Sequence, residues 1–383
     1  MKFQDLKTLE EKLNLMSELA VNFRSRAAYH PEAAGQFPFD NISDLKESGY
    51  TSLTVPVRFG GEDISLYEMV RLQERLAEGD GSTALSIGWH LGILKNLGEK
   101  KLWDEELFEK ICYEAKNGAL INGAATEPGT GSPTRGGLPQ TTAVKTGNHW
   151  VVNGRKTFTT MAPVLDYFIV SAAAEPCGET GNFLIPRKSE GLRIEETWDS
   201  IAMSETGSHD LVLENVMVAD DCFVEVFTPG KKGANGWLLH IPACYLGIAA
   251  AACDYAVRFA KEYSPNSIKG SIIELPAVRQ KIGEMEFELM RARHFLYSVA
   301  KKWDTSAEKE RAQMAPELGA AKMAVTNGAI KVVDSAMRVV GARSLSGKNP
   351  LQKYYRDVRA GLHNPPMDDS TIELLAKQAD SRT

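Results

Sequence analysis

Ala125-Thr-Glu-Pro-Gly-Thr-Gly-Ser132 gathers two glycines, a proline, a carboxylate and several hydroxyls into one short segment. Such a loop exposes backbone N–H groups and lets a ligand approach closely. Its composition alone describes an ordinary surface turn equally well. Further on, Gly154-Arg-Lys-Thr-Phe-Thr-Thr160 places an aromatic followed by hydroxyls on a strand. Taken by itself, Phe158 reads first as a core residue and only second as a shield for a planar ligand.

The loop lies where the texture of the chain changes. Before it, from Leu6 to about Asn117, apolar residues recur at helical spacing: Leu6, Leu9, Leu13, Met16 and Leu19, then Met69, Leu72 and Leu76. Gly79-Asp-Gly-Ser82 breaks a helix, and Thr83 is the expected cap of the next. After about Gly118 come short β-branched or aromatic runs at 142–144, 149–152, 167–170, 183–185 and 211–213. Turn signals separate them, including Lys145-Thr-Gly-Asn148 and Asn153-Gly154. From Trp237 helical texture returns in Ala-rich segments at 247–260, 275–303 and 314–340, as in a packed bundle. The expected organisation is an N-terminal helical domain (1–119), a central β domain (120–227) and a C-terminal helical bundle (228–383).

Bulk properties restrict the function. With 383 residues, 43% hydrophobic, 25% charged and a formal charge of −6, the chain reads as globular, with no basic field pointing to nucleic acid. Five widely spaced cysteines (Cys112, Cys177, Cys222, Cys244, Cys253) without a CxxC suggest neither a disulfide framework nor a zinc site, and fit a reducing cytoplasm. The start of the chain lacks an apolar run and does not read as a signal peptide. The most apolar stretch, Trp237 to Ala252, is interrupted by His240, Pro242 and Gly247; a buried core helix, not a membrane span, is expected.

The loop and the strand, in this order between two helical regions, resemble the acyl-CoA dehydrogenase family, whose TEPG-x-GS loop and K-x-W-x-T strand hold a flavin. Phe37-Pro38, Gly49-Tyr-Thr-Ser-Leu-Thr-Val-Pro56 with Gly60-Gly61, Trp198-Asp through Met203, Ser208 and Arg356-Asp357 match family patterns in order. The resemblance implies a mainly α fold with a central β-barrel or sandwich and a C-terminal four-helix bundle. It further implies a flavin-dependent oxidoreductase holding FAD, with FMN as the alternative, and a homotetramer. Thr126, Gly131, Ser132, Phe158, Thr159 and Thr160 are the implied cofactor contacts. Thr126 would bond the flavin ring and Ser132 lie at the cofactor or substrate mouth. Phe158 would replace the usual tryptophan.

The same resemblance exposes departures. The family's C-terminal base, a glutamate about nine residues after the Arg-Asp pair, falls at Pro365, and its alternative address on the first bundle helix falls at Ile241, with Pro242 where an arginine is expected. The arginine signature that reaches a neighbour's FAD is replaced by Asn266-Ser-Ile-Lys-Gly270, and Gly-Gly-x-Gly by Gly341-Ala-Arg-Ser344. Arg343 or Lys269 is then expected to hold the cofactor's tail. Leu362-His-Asn-Pro365 is similar to the L-H-D-P turn of two-component flavin monooxygenases on this fold, with Asn364 in place of their Asp. Two chemistries follow. An acyl-CoA or related thioester is oxidised with a non-standard base (His363, Asp368 or Asp369), passing electrons to an electron-transfer flavoprotein. Alternatively, reduced flavin from a partner reductase activates oxygen under the control of His363 and His90. Histidine suits either role because it exchanges a proton near neutral pH. A third reading, a binder that has lost catalysis, rests on the missing glutamate alone.

Overall fold

The computed structural model describes residues 1–29, 35–133, 136–231 and 233–381. Helices α1 (Leu9–Tyr29), α2 (Phe39–Glu47), α3 (Leu66–Ala77), α4 (Gly81–Lys100) and α5 (Glu105–Lys116) precede the strands. Strands β1 (Ile121–Ala124), β2 (Thr142–Thr146), β3 (His149–Thr159), β4 (Tyr167–Glu175), β5 (Glu179–Pro186), β6 (Leu192–Glu195), β7 (His209–Ala219) and β8 (Phe223–Val226) follow. They join one sheet in the order β6-β7-β3-β2-β4-β5-β8, with β1 alongside β4. Helices α6 (His240–Glu262), α7 (Pro276–Thr305), α8 (Glu308–Arg311), α9 (Ala315–Val340), α10 (Pro350–Asp357) and α11 (Asp368–Asp380) complete the chain. Around α9 pack α6, α7 and α11, forming a four-helix bundle, and α3 packs against α6 and α7. One core runs through all three regions, including Leu72 of α3, Val152 of β3, Leu246 of α6 and Val332 of α9.

Two local readings differ from the sequence expectation. Asp80, not Thr83, caps α4: its Oδ2 accepts from the Thr83 N–H at 2.8 Å, because an aspartate three residues ahead satisfies an orphan first-turn donor. Asn153-Gly154 is not a turn; it lies inside β3 at a bulge against β7. A Cβ at Gly154 would come within 2.4 Å of the Thr141 hydroxyl, so glycine there admits a close approach. The apolar segment is also longer than it read. Gly236–Glu262 is continuous enough to span a bilayer, but 89% of its most apolar window is buried, which makes it a core helix.

Candidate flavin site

The loop after β1 is tied to β3 from below. Glu127, 3% exposed, accepts five hydrogen bonds: to Oε1 from Lys156 Nζ (2.7 Å), Thr141 N (2.9 Å) and Thr141 Oγ1 (2.6 Å), and to Oε2 from Thr130 Oγ1 (2.5 Å) and Gln140 N (2.7 Å). Burial alone would raise its pKa, but these donors outweigh burial and hold it down, to about 2. Lys156 is fully buried, and desolvation lowers its pKa against the pull of Glu127. The pair is a lock within the sheet: it fixes the start of the loop through Thr130 and its return through Gln140 and Thr141. Thr157 N donates to Thr126 O at 2.8 Å, joining loop and strand through backbone as well.

Above this lock β3 loses its alternation. A register shift between Lys156 and Thr159 puts Phe158 in the left-handed region at φ 57°, which costs an aromatic residue on the order of 1 kcal/mol. The bulge turns Lys156 and Thr159 inward and leaves Phe158 58% exposed, its ring packed edge-on to Trp198 at 5.9 Å. Trp198 Nε1 donates to Met203 O at 3.2 Å. A strained, exposed aromatic beside an open loop is an arrangement maintained at ligand sites.

The implied cofactor residues fall into distinct positions. Thr126 is half-buried beside Glu127, and Gly131 has φ 72° with open space where a side chain would stand. Ser132 follows Gly131 directly. Thr160 is half-buried; its hydroxyl bonds Ser208 Oγ (2.9 Å), which bonds Thr206 Oγ1 (2.8 Å). Thr159, by contrast, is fully buried beneath the strand, its hydroxyl without a protein partner. Arg343 sits apart on the 3-10 turn Gly341–Leu345 in the C-terminal region, over the Tyr263 ring at 4.2 Å and beside a cleft of about 360 Å³ lined by Asp334, Arg338 and Tyr355.

The histidines separate. His90 is fully buried, its Nε2 2.9 Å from Thr51 O and its Nδ1 accepting from Ile121 N at 3.1 Å. With Nδ1 an acceptor, Nε2 carries the proton. Burial pushes the pKa down to about 4, so the ring stays neutral as a bridge between α4 and β1. The reading of His90 as a catalytic partner is not what this geometry offers, since both nitrogens serve backbone groups. From β1 the contact continues to the site: Asn122 Nδ2 donates to Thr160 O at 2.9 Å. His363 is exposed at the end of the 3-10 turn Val358–Leu362, and the next residue, Asn364, accepts from the buried Tyr245 hydroxyl. Asp368 bonds the buried Lys322 (3.3 Å) and Asn327 (2.8 Å), so it serves as a structural partner and not as a free carboxylate.

A second polar knot, not anticipated from sequence, joins the three regions. Lys353 Nζ lies 2.9 Å from Asp357, 3.2 Å from Glu205 and 3.7 Å from Asp80. Burial raises the Glu205 pKa to about 7, helped by Asp80 and Asp357 and opposed by Lys353. Asp357 Oδ1 also accepts from Met203 N at 2.7 Å, fixing the loop on which Trp198 rests. Only the Arg356-Asp357 pair signalled this in the sequence. Phe158, Gly131 and the half-buried hydroxyls make a wall and edge that fit a planar cofactor with hydrogen-bonding groups at one rim.

Comparison with known proteins gives three matching family descriptions: acyl-CoA dehydrogenase N-terminal domain over 15–101, middle domain over 122–216 and C-terminal domain over 239–364. YdbM of Bacillus subtilis (strain 168), assigned to the acyl-CoA dehydrogenases, is 57% identical over 366 residues, covering 95% of each chain. A dibenzothiophene monooxygenase of Rhodococcus erythropolis is 26% identical over 376 residues, covering 91% of this chain and 88% of the other. Among solved structures, KijD3 in complex with FMN and a dTDP-amino sugar superimposes with a TM-score of 0.85 at 26% identity, covering 97% of this chain and 94% of that one.

Proposed function

Because the chain belongs to the acyl-CoA dehydrogenase family, we propose that it is a flavin-dependent oxidoreductase oxidising an acyl-CoA or related thioester, with FAD as the cofactor. The observation that carries this reading is the 125–132 loop, locked by Glu127 and Lys156 beside the strained Phe158. When bound, the flavin supplies a hydride acceptor. Phe158 and Trp198 exclude water from one ring face; Thr126 and the backbone of Gly131 and Ser132 meet the polar rim. Thr206 Oγ1 donates to Met203 O, so in the hydroxyl chain Thr160–Ser208–Thr206 the Thr160 proton goes to Ser208 and Thr160 Oγ1 is left to accept at the cofactor edge. Thr159 stays fully buried beneath the strand, away from the cofactor edge.

The proton removed from the substrate needs a base, and neither family position of the glutamate holds a carboxylate. His363 is the candidate: it is exposed, and Tyr245 braces its turn through Asn364. Electrons then leave to an electron-transfer flavoprotein. Arg343, remote in sequence and on the bundle, is assigned to the cofactor of a neighbouring copy in a cytoplasmic homotetramer.

The Leu362-His-Asn-Pro365 turn favours a second reading, a two-component monooxygenase using reduced flavin, with FMN as the alternative cofactor. Anaerobic titration of the oxidised holoprotein with acyl-CoAs of graded length tests the first reading; bleaching is expected. No bleaching at any length, together with oxygenated product when reduced flavin and oxygen are supplied, would replace it with the second. Chromatography of acid-released cofactor checks FAD against FMN.

A further inference from the structure

The charges of the Lys353 knot do not balance. Its members come from all three regions: Asp80 from the N-cap of α4, Glu205 from the 3-10 turn Ser204–Thr206, and Lys353 and Asp357 from α10. Burial works against the charge on Lys353, but the carboxylates outweigh burial and raise its pKa, so one ammonium faces three acids. Two of the acids have oxygens committed to other donors. Asp80 Oδ2 accepts from the Thr83 N–H (2.8 Å) and hydroxyl (2.5 Å), and Asp357 Oδ1 accepts from Met203 N (2.7 Å). Among the described residues, Lys353 is the one donor within ion-pair distance of Glu205, at 3.2 Å. Asp80 Oδ1 is buried without a hydrogen bond. The knot is therefore one proton short, and Glu205 is the acid with room to carry it; burial pushes its pKa up to about 7, in agreement.

Glu205 sits between two left-handed hinges. Met203 has φ 52° and Gly207 φ 53°; glycine adopts this conformation freely, whereas methionine is strained by it. Contacts, not preference, hold Met203 in place. Its N–H donates to Asp357, and its carbonyl accepts from Trp198 Nε1 (3.2 Å) and Thr206 Oγ1 (2.9 Å). The flavin wall and the flavin edge both hang on this turn: Trp198 backs Phe158 at 5.9 Å, and Thr206 anchors the hydroxyl chain through Ser208 to Thr160. A second unpaired negative charge in the knot would be relieved by turning Glu205, whose side chain is 15% exposed, out towards water, and the turn would go with it.

We infer that Glu205 is a positioning residue and the Lys353 knot a proton-operated latch: with Glu205 protonated the 203–207 turn is seated and holds the flavin wall and edge, and ionisation of Glu205 releases them. The inference rests on the flavin reading and not on which substrate is oxidised. Linkage gives the direction. In a released turn Glu205 ionises near its ordinary 4.5, and in the seated knot it keeps its proton up to about 7. Seating therefore takes up a proton between these values; its contribution is full below 4.5 and is lost as pH rises through 7. The charged groups facing Glu205 are Asp80 from α4 and Lys353 and Asp357 from α10. The Cys244 thiol of α6 and the Tyr354 hydroxyl of α10, which feel the same charges, are both pushed up by burial and stay neutral.

The test uses the FAD-loaded protein with 15N-labelled tryptophan, titrated from pH 5.5 to pH 8. Two quantities are followed: the FAD released on dilution, and the Trp198 indole N–H resonance, assigned with Trp198→Phe. FAD should be held about tenfold more tightly at pH 5.5 than at pH 8, within the roughly 30-fold that one such proton can supply. The Trp198 resonance should move over the same range. Glu205→Gln is permanently neutral and should hold FAD at pH 8 as the wild type does at pH 5.5, with a Trp198 resonance that does not titrate. Groups other than Glu205 titrate alike in both proteins, so the difference isolates it. A wild-type Trp198 resonance that is flat across the range overturns the inference, and this decides even if Glu205→Gln does not fold. The same pH dependence in Glu205→Gln as in the wild type, or FAD retention that does not follow Trp198, overturns it too. Failure of the flavin reading shows differently: no flavin is taken up at any pH while the Trp198 resonance still titrates.

Discussion

Replacing Glu127 by Gln changes one atom and keeps the shape, so its effect isolates the lock beneath the loop. Every neighbour of the carboxylate is a donor, so the new amide NH₂ must face one set of them. The least costly orientation puts it at the Oε2 position, where Thr130 can turn its hydroxyl to accept but the Gln140 N–H is orphaned. Lys156, fully buried, then keeps only a neutral oxygen. An orphaned amide costs about 1–3 kcal/mol and a broken buried pair about 3–5 kcal/mol; the surviving Lys156 contact places the sum near the lower end of their total, about 4–5 kcal/mol. Linkage provides a second route: a carboxyl lowered from 4.5 to about 2 contributes roughly 3 kcal/mol at neutral pH. That contribution is present in full above the unfolded pKa near 4.5 and disappears as pH falls through the folded value of about 2. Glu127→Gln should therefore lower the urea midpoint at pH 7, quicken amide exchange at Gln140 and Thr141, and weaken flavin retention at least tenfold. The deficit should narrow below pH 4.5. Adding Lys156→Met should recover part of it. A loss under about 0.5 kcal/mol at pH 7, the level of an ordinary surface change, or a deficit of the same size at pH 7 and pH 3, would refute the reasoning.

His90→Phe orphans Thr51 C=O and Ile121 N–H, so a loss of about 2–6 kcal/mol in chemical denaturation is expected. Because the folded pKa lies near 4, below the usual 6.5, the wild-type contribution is complete above pH 6.5 and declines as pH falls towards 4; at pH 5 the penalty should be smaller by about 2 kcal/mol. Lys353→Met leaves Asp80, Glu205 and Asp357 facing one another and should cost about 3–5 kcal/mol, with Glu205→Gln recovering part in a double-mutant cycle. Phe158→Gly removes a residue at φ 57° and should raise the thermal midpoint or leave it unchanged, with a strain relief of about 1 kcal/mol, while flavin dissociates faster in gel filtration.

Helical periodicity in the runs from Leu6 and from Met69, the β-branched segments and the Ala-rich C-terminal segments were legible because burial of one face imposes a repeat on the sequence. The 125–132 loop was legible because its glycines and hydroxyls recur as a family motif. Local punctuation was read less well. Asn153-Gly154 has the composition of a hairpin turn, yet it lies inside a long strand because Thr141 needs the space over Gly154. Asp80 displaced Thr83 as the cap because a side chain three residues ahead was free to accept its N–H.

By itself the sequence determined the order of helices and strands, the family and the location of the loop, since each is written in contiguous residues. Only the tertiary structure decided what the polar residues do, because burial and partners depend on segments far apart in the chain. Glu127 sits in the motif, yet its role follows from Lys156, Gln140 and Thr141; His90 became a bridge because Thr51 and Ile121 meet it from both sides. The same physics separates Thr159 from Thr160: adjacent hydroxyls in the sequence fall one below and one beside the site, because a bulge interrupts the alternation between them and Lys156.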